Sequence, residues 1–168
     1  MPLSGKTTLA ELMKNKGYTV LDMGDVVRIE MEKRGIAAKN TGEFVNSMRD
    51  EHGMDAIAQL SLPYLNEILG EKEKVVITGM RGWSEKERFE SETGKQIQVI
   101  GIWASPETRR NRREERQRDE DIEGDSFRER DLREIDNGVG KLFALADHLI
   151  QNEDKNLEGL ERSLEKLI

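Results

Sequence analysis

Met1-Pro2-Leu3-Ser4-Gly5-Lys6-Thr7-Thr8 opens the chain, and the fold follows from how this stretch is read. Ser4-Gly5-Lys6-Thr7 is the closing half of the phosphate-binding loop G-x-x-x-x-G-K-[ST]. Gly5 lets the backbone pass close to phosphate oxygens with no Cβ in the way. Lys6 reaches the β and γ phosphates as a mobile charge, and the Thr7 hydroxyl is a Mg2+ ligand. The helix that follows aims free N–H groups and the positive end of its dipole at the same anion, which makes Ser4 to Thr8 the expected ATP-binding segment. Gly-Lys-Thr alone is a common tripeptide, so the weight comes from the rest of the chain. The motif's opening glycine would fall one residue before Met1, and the expectation is a natural start further upstream.

At 168 residues the chain is expected to be a single domain with a proper core. Its net charge of −7 argues against binding nucleic acid through phosphates. Cysteine is absent, which excludes disulfides and thiolate zinc sites. No apolar run approaches the ~18 residues of a transmembrane helix, and the N-terminus carries no apolar signal region. A cytoplasmic protein with neither nucleic-acid nor membrane partners is the expectation.

Past the loop, Leu9, Leu12 and Met13 form a buried helical stripe over 6–16, closed by Gly17. Tyr18 to Met23 reads as a strand. The chain then turns at Gly24 into a helix that Asp25 is placed to cap. Asp25 also sits at the carboxyl end of a parallel strand, where ligands bind in open α/β sheets. There it can hold metal-bound water or accept a substrate proton, with Arg28 one turn on as a phosphate contact. Residues 40–70 read as helical, capped by Asn40, interrupted at His52-Gly53 and kinked or ended at Pro63; they carry Arg49. Lys74 to Thr78 reads as a central strand buried on both faces. It leads into Gly79-Met80-Arg81-Gly82, and Ser84 to Glu87 reads as a capping box. Gln96 to Trp103 is the third strand, and Ser105-Pro106 a helix start.

Residues 107–134 hold nine arginines against eleven acids, a balance of −2. A nucleic-acid arm should not be net acidic. Arg109, Arg112 and Arg116 nevertheless recur at i, i+3, i+7 on one helical face, with Arg118 following, before the acidic stretch 119–125 breaks the helix. Such a charged hairpin is suited to fold over a bound nucleotide. Leu142, Phe143, Leu145 and Ala146 read as core, Asp147 to Asn152 as the last strand, and Leu157, Leu160, Leu164 and Leu167 as the stripe of a final helix. Strands alternating with helices give an α/β fold with a parallel sheet and flanking helices, of which four strands are present and the first is absent.

In order and spacing these pieces resemble an archaeal family of P-loop, kinase-like proteins related to adenylate kinase and dephospho-CoA kinase, over nearly the whole length. Gly24-Asp25-Val26-Val27-Arg28 is similar to the G-D-x-x-R of nucleoside monophosphate kinases. Arg49 with Gly53, Asp55, Ala56 and Ala58 resembles the acceptor-side helix, and Gly79-Met80-Arg81 the G-x-R after the third strand. The resemblance implies a nucleoside monophosphate kinase-like P-loop NTPase fold, with acceptor-side helices over about 25–70 and a lid over about 107–134. It implies ATP and Mg2+ as cofactors and a small-molecule phosphate acceptor held by Arg28, Arg49 and Arg81. Lys6, Asp25, Arg116 and Arg118 would be catalytic. Arg109, Arg112 and Asn152 would border the nucleotide, and Thr7 and Asp25 the metal. One departure matters: the family's acidic residue before G-x-R is here Thr78. Phosphorylation of a 3′-hydroxyl, as in dephospho-CoA kinase, and a nucleotide-dependent switch or slow ATPase acting on a partner protein remain the alternatives.

Overall fold

Among the described residues, four strands of four residues each pair two by two. β1 (Thr19–Asp22) runs parallel to β2 (Val75–Thr78), with Asp22 opposite Thr78. β3 (Ile100–Trp103) runs parallel to β4 (His148–Gln151), with Trp103 opposite Gln151. The structure, a computed structural model, describes residues 1–116, 127–153 and 156–168, without the side chain of Arg116. The chain divides into two compact units, Met13–Ile97 and Met1–Leu12 with Gln98–Ile168.

In Met13–Ile97 the parallel β1–β2 pair demands a crossover, which is helical. It comprises α2 (Met23–Lys33), a 3-10 turn (Ala38–Asn40), α3 (Thr41–His52) and α4 (Ala56–Glu71); α5 (Trp83–Thr93) follows β2. The core gathers Leu21, Met23, Val26, Val27, Met31, Phe44, Met48, Ala56, Ile57, Ala58, Leu65 and Phe89. Several local expectations are corrected here. α2 opens at Met23 and its cap is Asp22, whose carboxylate accepts from the Gly24 and Asp25 N–H groups at 2.8 and 3.1 Å; Asp25 lies inside the first turn. Asn40 makes no side-chain cap, because the preceding 3-10 turn already directs the chain into α3. α4 continues through Pro63, which sits on the solvent side, where the hydrogen bond it cannot make is least costly. β2 is only half-buried throughout, since its one partner in this sheet is β1. α5 begins at Trp83, so its capping glutamate is Glu85 and not Glu87.

The other unit holds the first eight residues, the start of α1 (Lys6–Asn15), β3, α6 (Pro106–Arg116), α7 (Phe127–Asp136), α8 (Val139–Ala144), β4 and α9 (Leu157–Glu165). Its buried apolar residues include Leu9, Ile102, Ala104, Val139, Leu142, Ile150, Leu160 and Leu164. Gly138, at φ 103°, separates α7 from α8. Leu145 and Leu157 are exposed, against expectation: Leu145 is already past the end of α8, and Leu157 is the first residue of α9. Among the described residues, no helix is long and apolar enough to cross a membrane.

Candidate functional site

The opening loop folds back on itself. The Met1 carbonyl accepts hydrogen bonds from the Ser4 hydroxyl and the Lys6 ammonium, both at 2.9 Å, and Ser4 is fully buried. Leu3 takes φ 61° and Gly5 φ 104°, so two left-handed residues curl the chain just before α1. The first backbone bond of the helix runs from Leu9 N–H to the Gly5 carbonyl at 3.0 Å. The amides of Lys6, Thr7 and Thr8 thus precede the helical ladder, at the positive end of its dipole.

The loop after β4 holds this curl in place. Asn152, 5% exposed, donates from Nδ2 to the Ser4 carbonyl at 2.9 Å. Arg112, on α6, donates to the carbonyls of Leu3, Asn152 and Glu153 at 3.2, 2.8 and 2.9 Å. Glu153 accepts from the Ser105 hydroxyl at 3.0 Å and from the Thr108 hydroxyl, tying the same loop to the start of α6. The Thr108 bond, with help from Ser105 and Arg112, holds the Glu153 carboxyl below its ordinary value. A cavity of about 360 Å³ opens here, lined by Gly5, Lys6, Thr7, Thr8, Arg112 and Asn152 together with the apolar Leu3, Leu157 and Leu160. Of the residues expected at the nucleotide, Gly5, Lys6, Thr7, Thr8, Arg112 and Asn152 come together at one cavity, while Ser4, fully buried, is not among the residues that line it. Arg109 is not part of its lining. The residue is 2% exposed, and its guanidinium forms a bidentate pair with Asp131 of α7, at 2.7 and 2.6 Å, while Nε donates to the Ala104 carbonyl. Arg118 and the side chain of Arg116 lie outside the described residues.

The acceptor-side candidates all belong to Met13–Ile97. Asp25 and Arg28 pair with each other on the surface, their side chains 65% and 63% exposed. Arg49, nearly buried on α3, faces Glu85 of α5 across 4.0 Å. Glu85 is 1% exposed and accepts from the Arg81 and Gly82 N–H groups at 2.6 and 3.0 Å. Burial pushes its carboxyl up, against those two bonds and the pull of Arg49 and Arg81. Two residues escaped the sequence reading. Asp22 caps α2 and also accepts from the Thr78 hydroxyl at 2.8 Å, so the position lacking the family's acid lies against a carboxylate from the neighbouring strand. Glu85 looked like one more acid in a polar helix; only its offset of three from Gly82 marked it as a cap.

Residues 1–128 match a family described as an AAA domain. The UPF0200 protein of Methanocaldococcus jannaschii is 37% identical over 171 residues, covering all of this chain and 85% of that protein. The chain belongs to the UPF0200 family. Its UPF0200 relative from Pyrococcus abyssi is 36% identical over 172 residues, covering the whole chain and 91% of that protein. A UPF0200/UPF0201 protein of Archaeoglobus fulgidus is 38% identical over 154 residues; the match takes in 90% of this chain and 48% of that relative, about half its length. In fold, this UPF0200 chain is similar to shikimate kinase from Bacteroides thetaiotaomicron, with a TM-score of 0.57 at 15% identity over 99% of this chain and 91% of that one. The fold is therefore α/β with parallel strands and flanking helices, of the P-loop kinase-like kind.

Proposed function

We propose that the chain is a phosphotransferase that carries the γ-phosphoryl group of Mg·ATP to a nucleoside monophosphate or a similar phosphate-bearing small molecule in the cytoplasm. The observation that carries this reading is the curled loop at the N-terminus of α1, with Lys6, Thr7 and Thr8 facing a cavity of about 360 Å³. That volume lies in the range of about 300–1,000 Å³ usual for small-molecule sites. Phosphates suit Lys6, Thr7 and Thr8, where Lys6 would exchange the Met1 carbonyl for phosphate oxygens. Leu157 and Leu160 in the same lining suit a base.

The donors fit magnesium in one respect. Thr7 offers a hydroxyl, and among the described residues no group of three His, Cys, Asp or Glu could cage a metal. Mg2+ is commonly held by one or two protein groups plus nucleotide phosphates and water, and there it neutralises phosphate charge. Phosphoryl transfer asks the protein chiefly for alignment and charge stabilisation. In this reading Arg28, Arg49 and Arg81 bind the acceptor's phosphate, Asp25 orients its nucleophile, and Arg116 and Arg118 meet the transferring group. Arg112 holds the wall of the cavity.

The test is a transfer assay with Mg·ATP and a panel of nucleoside monophosphates, dephospho-CoA and water. Transfer to a monophosphate supports the proposal. Transfer to dephospho-CoA moves the chemistry to a 3′-hydroxyl, and hydrolysis without an acceptor moves it to the switch. Lys6→Ala is expected to remove all turnover while leaving the thermal unfolding transition in place; unchanged turnover would overturn the phosphate-loop assignment.

A further inference from the structure

Glu85 is the one acid among the fully buried polar residues described, and the proposed chemistry gives it no task. Its place at the third position of α5 accounts for Oε2, which receives the Arg81 and Gly82 N–H groups. It does not account for the charge. Glutamine serves equally well at this position of a capping box, without the cost of taking a carboxylate out of water. The charge has its counterpart in Arg49, whose Nη2 lies 4.0 Å from Oε1 with both side chains under 10% exposed. One carboxylate thus faces two arginines that the sequence reading assigned to the acceptor: the guanidinium of Arg49 from α3, and the backbone of Arg81 from the loop after β2.

We infer that Glu85 is a positioning residue, setting Arg49 and Arg81 as a pair for the phosphate monoester of the acceptor. The inference rests on the acceptor assignment proposed above. Burial raises the Glu85 carboxyl while Arg49 and Arg81 lower it, so its ionised form depends on the groups it positions.

Glu85→Gln separates the cap from the charge, since the amide oxygen can still receive both N–H groups. Adenosine monophosphate is the probe, titrated while the arginine Nε–H signals are followed by NMR. In the wild type, the Arg49 and Arg81 signals are expected to shift together. In Glu85→Gln, monophosphate affinity is expected to fall about tenfold or more, with ATP affinity within about twofold and the Arg81 and Gly82 amides still protected from exchange. Unchanged monophosphate affinity, or equal losses for both nucleotides, would overturn the inference. If the monophosphate moves neither arginine in the wild type, the acceptor assignment falls. Inorganic phosphate then decides the inference: joint shifts lost in Glu85→Gln sustain it, and their absence ends it. Should Glu85→Gln not fold, the Glu85 carboxyl carbon signal of the wild type replaces it, a shift on phosphate binding supporting the role and a static signal excluding it.

Discussion

At Gly5 the backbone stands at φ 104°, and a Cβ there would lie 2.3 Å from Asn152 Nδ2. An L side chain would be strained twice, by conformation and by a buried amide already bonded to Ser4. Gly5→Ala is expected to cost about 1–3 kcal/mol in urea unfolding and to weaken ATP binding by more than tenfold, read by calorimetry. Thr7 and Thr8 are exposed and carry no such burden, so their substitution should touch binding and not folding. Gly5, Lys6 and Thr7 stand out in the sequence because a phosphate loop demands those residue types, and the order of the pieces that follow lends the tripeptide its weight. Asp22 and Glu85 were not legible: a capping carboxylate is recognised by the turn it closes, and Asp22 stands three residues before the expected cap Asp25, Glu85 two before the expected Glu87.

Among elements, α6 shows how one helical face can divide its labour. Arg109 and Arg112 share a face by spacing. Yet Arg112 fastens the loop after β4, whereas Arg109 is spent on Asp131, with the Phe127 ring 4.8 Å from its guanidinium. Periodicity gives the face and is silent about the partner, since Asp131 is 22 residues away. Removing one member of a buried pair strands the other, so Arg109→Ala is expected to lose about 3–5 kcal/mol. ATP affinity of the folded protein should stay within about twofold, measured by titration well below the unfolding transition. A large loss of affinity at intact stability would return Arg109 to the nucleotide. The strands themselves were legible from short apolar runs bounded by turns, whereas their pairing as β1–β2 and β3–β4 was not. Strand lengths came out shorter than the apolar runs, because pairing with a single neighbour leaves the ends without ladder bonds.

For the whole molecule, acid is the informative variable. Glu153 and Glu30 sit below their ordinary value of 4.5, held there first by the hydroxyl of Thr108 and the ammonium of Lys33 respectively. Asp55 is lowered too: burial raises it, but the bonds from Arg88 and Gln59 prevail. A depressed carboxyl contributes stability that is complete above its unfolded value and is lost as pH falls through the folded one. Glu85 runs the other way, its contribution being complete below 4.5 and lost as pH rises through its raised value. The free energy of unfolding is therefore expected to drop as pH falls below about 4.5, and Glu153→Gln should flatten that limb in a urea series from pH 7 to 3. An equally steep limb in the variant would show that Glu153 contributes nothing to it.

The division of the chain has an optical consequence. Of its two tryptophans, Trp83 lies in Met13–Ile97, at the first position of α5 under the Lys86 ammonium, 4.9 Å from the ring centre. Trp103 lies in the other unit, 43% exposed at the end of β3. Each compact unit carries its own intrinsic fluorophore, in a different setting. Trp83→Phe and Trp103→Phe turn the protein into a pair of single-reporter chains, in which the melting of either unit can be watched by its own emission without any label.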